Sequence, residues 1–147
     1  MFRFAQRVSV LFAGLVLTLV VTSCAKKSEE KLPPPASSGV VTVTGLEMGR
    51  AVGGDKRVTD KTEEFKPNDV IYASVVTSGT STNSTLKARW TFQDGQVVDE
   101  SEQAIAPTGD AATEFHISKP DGWPAGKYRV EVFLDGSPTQ AKDFTVK

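Results

Sequence analysis

Reactive and organising residues are scarce in this chain. Its 147 residues include one cysteine, Cys24, and one histidine, His116. A lone cysteine closes no internal disulfide, and with a single histidine it cannot build a structural zinc site from Cys and His ligands. An excess of positive charge is also missing. Seventeen Lys and Arg face 18 Asp and Glu, a formal net charge of -1. A nucleic-acid binder normally shows a basic patch or stripe, so that class is excluded. There is no amphipathic helical period, no internal repeat, no glycine loop that would cradle a phosphate and no nucleophile elbow. The one long apolar run, Val8 to Val21, has fourteen residues and falls short of the roughly 20 that span a bilayer as a helix. What remains suits one domain of modest size.

The chain opens with a positive segment carrying Arg3 and Arg7, followed by the apolar run VSVLFAGLVLTLVV. That order is the n-region and h-region of a secretory signal, which is set aside before fold reasoning. The run ends in Val21-Thr22-Ser23-Cys24. These four residues resemble the lipobox of bacterial lipoproteins, with an aliphatic residue three before the cysteine and small residues between. The resemblance implies a diacylglyceryl group on the Cys24 thiol, cleavage before it, and acylation of the new amine. More than one acyl chain gives lasting attachment, at about 0.8 kcal/mol per buried CH₂. Cys24 is thus expected to be a lipidation site and residues 1–23 a removed signal peptide. Cleavage leaves 15 basic against 18 acidic residues, a net charge of -3. Ala25 stands where an Asp would resemble an inner-membrane retention signal, so in a cell with two membranes the outer one is expected, on its periplasmic or surface face.

Residues 24–39 hold the lipidated cysteine and a tether, AKKSEEKLPPPASSG from Ala25 onward. The stretch lacks apolar periodicity and carries three consecutive prolines, so it reads as a semi-rigid exposed spacer. From Val40 the character changes to short β-rich runs with turn signals between them, the pattern of an all-β sandwich or barrel. Strands are predicted over Val40–Leu46, Val70–Thr77, Leu86–Phe92, Gln96–Glu102, Thr113–Ser118, Lys127–Leu134 and Thr139–Val146. Period-two alternation puts Leu86, Ala88, Trp90 and Phe92 on one face, and likewise Tyr128, Val130, Val132 and Leu134. Asp94-Gly95 and Asp135-Gly136 supply hairpin turns suited to positive φ. The stretch from Met48 to Asp69 is long for a structureless loop, and an extra hairpin or edge strand is predicted around Arg57 to Phe65.

About seven strands in residues 40–147, with Trp90 in the third and Gly126-Lys127-Tyr128-Arg129-Val130 opening the sixth, resemble an immunoglobulin-like antiparallel β-sandwich. The resemblance implies that Trp90 is buried and that Tyr128 forms a tyrosine corner. Val130 stands where antibody domains carry a cysteine, and its counterpart, Val75 or Ala73, is also aliphatic. The domain is therefore similar to the disulfide-free, fibronectin-III-like relatives. Such a fold implies no activity by itself.

Catalysis needs a nucleophile or an acid–base pair with a reason to be perturbed. His116 alternates with Phe115 and Ile117 and is expected on the solvent face without an assignable partner. Asp94, Asp99, Glu100 and Glu102 lack the ligand spacing of a calcium loop and read as turn and edge-strand charges. No catalytic residue, metal or cofactor is expected. Candidate binding residues are Ser78, Thr80 and Asn83 in the polar loop TSGTSTNST, Trp123 in KPDGWPAG, and Phe133 on an outward face. Trp123 has two readings: an exposed aromatic stacking on sugars or anchoring a protein, or a cap on the core beside Tyr128. Phe133 with Val97 or Val98 would seed a contact patch. The expected role is a lipid-anchored envelope protein whose domain binds a protein partner without catalysis. A carbohydrate-binding module using Trp123 and a purely structural surface lipoprotein are the alternatives.

Overall fold

The computed structural model describes residues 40–147, so the signal segment, Cys24 and the tether lie outside the described residues. Eight strands follow in chain order: β1 (Thr42–Gly49), β2 (Glu64–Phe65), β3 (Ile71–Ser78), β4 (Ser84–Phe92), β5 (Gln96–Ile105), β6 (Ala111–Ile117), β7 (Gly126–Leu134) and β8 (Ser137–Val146). They form a three-stranded sheet, β1-β3-β6, and a five-stranded sheet, β2-β8-β7-β4-β5. All long pairings are antiparallel. Removing β2 leaves three strands facing four in the order of an immunoglobulin-like sandwich, the β5 strand being the extra one beside the central β4-β7-β8 trio. The domain is an all-β, disulfide-free sandwich of this type.

The alternation read from the sequence becomes the core. Ile71, Ala73 and Val75 from β3 meet Leu86, Ala88 and Trp90 from β4 and Val130 and Val132 from β7, all fully buried. Trp90 packs edge-on against Phe144 at 5.9 Å, and Tyr128 stacks on Phe144 at 5.3 Å. The Tyr128 hydroxyl donates to the Pro124 carbonyl at 2.8 Å, which is the tyrosine corner. Burial raises the Tyr128 phenol above its ordinary pKa by disfavouring the charged form. Asp135 and Gly136 both have positive φ, 49° and 80°, as a tight hairpin turn between β7 and β8 demands.

The segment from Met48 to Asp69 forms less regular structure than the hairpin or edge strand expected of it. Its strand, β2, has only two residues and runs parallel to the end of β8, pairing Glu64 with Thr145 and Phe65 with Val146. Phe65 is buried and meets Phe144 edge-on at 5.6 Å. The rest of the segment doubles back through bridges Gly49↔Lys61 and Val52↔Val58. It packs so closely that a Cβ on Gly49 would stand 2.1 Å from the Asp60 carbonyl oxygen. Lys56 then reaches Glu114 on β6 at 3.4 Å, so the insertion crosses the outer face of the three-stranded sheet. Ser74, directly between Glu47 and Glu114 in the register, is fully buried on that outer face as a result.

Register defines two poles. The loop after β3, the 106–110 connection and the Asp135-Gly136 turn share one pole, tied by the Thr80↔Thr108 bridge and by Thr85 N–H donating to Asp135 Oδ1 at 2.7 Å. Val40 enters here, beside Gly79. The turn after Phe92, the 118–125 loop and Lys147 share the other.

Candidate functional site

Ser78, Thr80 and Asn83 lie together at the pole where the chain enters. Thr80 and Asn83 are exposed, and Ser78 is half-buried at the end of β3 opposite Thr42. The loop is pinned on both sides. Ser81 N–H donates to the Pro107 carbonyl at 3.0 Å, and the Ser81 and Ser84 hydroxyls are 2.8 Å apart. Short polar side chains on a fixed backbone present hydrogen-bonding groups with little ordering cost left to meet on binding.

The stacking role considered for Trp123 is corrected by its burial. Its residue is 8 % exposed, its ring meets Tyr128 edge-on at 6.2 Å, and its backbone N–H donates to the Pro67 carbonyl at 2.7 Å. An indole in that position caps the core and offers no free face to a sugar. Its Nε1–H nevertheless finds no acceptor within the domain, as is also true of Trp90 Nε1 and the Ser74 hydroxyl.

The patch expected from Phe133 and Val97 or Val98 does not form. Phe133 is opposite Lys87 on β4, whereas Val97 is opposite Thr91, four residues along, or about 13 Å at 3.3 Å per residue. Val98 turns towards the core. Phe133 is instead roofed by two cations, Lys87 Nζ at 5.0 Å and the Arg89 guanidinium carbon at 4.8 Å from the ring centre. Both belong to a row of alternating charge across four strands. Arg89 reaches Glu100 at 3.0 Å and Glu131 at 3.8 Å, and Arg129 reaches Asp143 at 2.9 Å. The hydrogen bond from Arg89, with Lys87 nearby, holds the Glu100 carboxyl below its ordinary pKa. This face answers its own charges.

His116 is exposed, and it does have a partner that the sequence reading could not assign. Its Nδ1 lies 2.5 Å from Glu114 Oε1, while Lys56 holds the other carboxylate oxygen. Two residues apart on one strand share a face, so spacing alone carried that signal. The pair rests against Tyr72, ring centres 5.4 Å apart. The nearby Ser74, opposite Glu114 in the register, is fully buried and its hydroxyl has no hydrogen-bond partner. Among the described residues, no three His, Cys, Asp or Glu side chains gather as a metal site requires.

A surface absent from the sequence reading lies on the open side of the sandwich. There the free edges of β5 and β6 diverge and enclose a groove of about 670 Å³. Val97, Val98 and Asp99 form one wall, with Ile117, Lys119 and Trp123 opposite. Farther along, Gln103 Nε2 donates across the gap to the Glu114 carbonyl at 2.6 Å. The apolar pair Val97-Val98 at the start of a largely polar strand is the sequence signal for it, and Val97 is 53 % exposed.

No protein-family model matches this chain, and no curated protein does. Among solved structures, an immunoglobulin-like protein from Pseudomonas aeruginosa is similar at 20 % identity and a TM-score of 0.48, covering 76 % of this chain and 99 % of that one. A CARDB domain from Pyrococcus furiosus, solved with two metal ions, is similar at 12 % identity and a TM-score of 0.45, over 76 % and 90 %. A β-glucosidase from intestinal bacteria matches at 16 % identity and a TM-score of 0.41, over 70 % of this chain and 16 % of its own length. The chain thus spans about one-sixth of that enzyme. The strand order of the domain itself, rather than these likenesses, establishes the fold.

Proposed function

We propose that this is a lipid-anchored bacterial envelope protein whose immunoglobulin-like domain binds a protein partner without catalysing a reaction. One observation carries the reading: an apolar run ending in Val21-Thr22-Ser23-Cys24 is joined, through a proline-rich spacer, to a rigid sandwich that begins at Val40. The leader provides an anchor, the spacer a stand-off, and the sandwich a scaffold for pinned loops and strand edges. In this reading the Cys24 thiol carries a diacylglyceryl group and its amine an acyl chain, and the outer membrane is the host bilayer.

Mass spectrometry of the mature N-terminus tests the anchor. A lipid-modified Cys24 as first residue is expected, and an unmodified Cys24 in the membrane fraction would refute it. Crosslinking the protein in its own membrane, followed by identification of what is captured, tests the binding role. A recurrent protein partner is expected; turnover of a small molecule that is lost in His116→Ala would overturn the non-catalytic reading.

A further inference from the structure

The open side of the sandwich has a polarity that its closed side lacks. From Gln93 to Asp110 the chain carries Asp94, Asp99, Glu100, Glu102 and Asp110 and no Lys, Arg or His. Within this stretch β5 is the outermost strand of its sheet for ten residues, paired with β4 on one edge only. On either side of a bulge at Val98, every second residue of this strand points its N–H and C=O outward, unpaired by the sheet. Glu100 is satisfied by Lys87 and Arg89, whereas Asp99 and Glu102 make no ion pair among the described residues. The groove runs along the first part of this edge, between Val98 and Ile117, and gives an apolar side chain a place beside the buried Trp123. The facing strand β6 has one edge carbonyl already taken by Gln103, which leaves β5 as the freer template.

We infer that the edge of β5, over Gln96 to Glu102, takes an extended peptide segment of a partner protein that adds to the five-stranded sheet and alternates basic with apolar side chains. Main-chain hydrogen bonds supply the pairing and alternate side chains the selectivity. Period two sends one set of the incoming side chains towards the groove, beside Val98 and Asp99, and the other towards the outer face, within reach of Glu102. A second copy of this chain is the wrong occupant, because pairing β5 with β5 sets one acidic row against another. The surface lies towards the pole away from Val40. The inference rests on the binding role proposed above and names the surface and the chemistry that would serve it.

The test uses the full-length protein in detergent and a synthetic peptide of about seven residues alternating Lys and Val, long enough for an ordinary strand. Binding in the micromolar to low-millimolar range is expected, with slowed hydrogen exchange at β5 amides and none gained at β1. Asp99→Lys with Glu102→Lys should weaken this peptide about tenfold or more and admit a Glu-Val peptide in its place. Acceptance of the reversed peptide would also show that the variant is folded. The proposal is overturned if the double variant binds the Lys-Val peptide unchanged, or if a Lys-Pro peptide of equal charge binds as well. Protection of β5 by self-association alone, without peptide, would overturn it too. The two readings fail separately: a partner crosslinked at Thr80 or Asn83 keeps the binding role and removes this surface, whereas absence of any partner removes the role without touching the peptide result.

Discussion

The two sides of the sandwich are finished differently, and the contrast separates what holds the domain together from what it leaves available. On one side β2 lies parallel to β8, Phe65 fills the gap against Phe144, and Glu64 pairs with Lys147 across the end. On the other side two strand edges part around a groove, and a single side-chain bridge, Gln103 to the Glu114 carbonyl, spans them. A two-residue strand looks negligible as secondary structure, yet it closes its side because it brings a large aromatic with it. The ten-residue β5 is long, yet it lends the core only the partly buried Val98 and Ile105 and leaves its outer edge open.

Truncations on the two sides should therefore be unequal. Phe65→Ala is expected to cost about 3–5 kcal/mol in denaturant unfolding, the range for a large buried aromatic in a packed core. A loss under about 1 kcal/mol would mean that the closed side is not sealed as described. Next in size is Tyr128→Phe, which removes the donor to the Pro124 carbonyl and should cost about 1 kcal/mol. The same phenol gives a pH signature. Because its folded pKa is raised, its stabilising contribution is whole below pH about 10 and is lost as pH rises through the folded value. Unfolding midpoints measured across that range should fall for the wild type and less so for Tyr128→Phe.

On the open side, Gln103→Ala should cost no more than about 1 kcal/mol, while amide exchange along β6 near Glu114 quickens. Stability unchanged and exchange unchanged would remove the bridge as a structural element. The smallest effect concerns two exposed ion pairs, Arg89–Glu100 on the outer face of the five-stranded sheet and Arg50–Asp60 in the segment after β1. Glu100 and Asp60 have carboxyls held below their ordinary pKa by Arg89 and Arg50, so their contribution is present at neutral pH and disappears only as pH falls through the lowered folded values. These pairs are solvent-exposed, and their loss in acid should be modest and weaker still in high salt.

Most of this contrast was hidden in the sequence for a physical reason. Alternation marks strands because it is local, and Leu86, Ala88 and Trp90 or Tyr128, Val130 and Val132 could be placed on inner faces from spacing alone. The Tyr128 corner was legible too, since its acceptor is four residues upstream. Phe65 falls at the end of the edge strand predicted from the sequence, but its parallel partner lies some eighty positions later and leaves no mark on its own segment. Burial of Ser74 depends on an insertion folding over the sheet, and the groove depends on two strands that never pair. The separation of Phe133 from Val97 needed the register of three strands, which no single strand carries.

The position of Val40 has a mechanical consequence. Tension applied at Val40 enters at the loop pole and runs along β1, while a pull on β5 near Gln96 acts near the opposite pole. The load then falls across the β1–β3 hydrogen bonds along the strand direction, so that Thr42 to Gly49 must yield together and not one bond at a time.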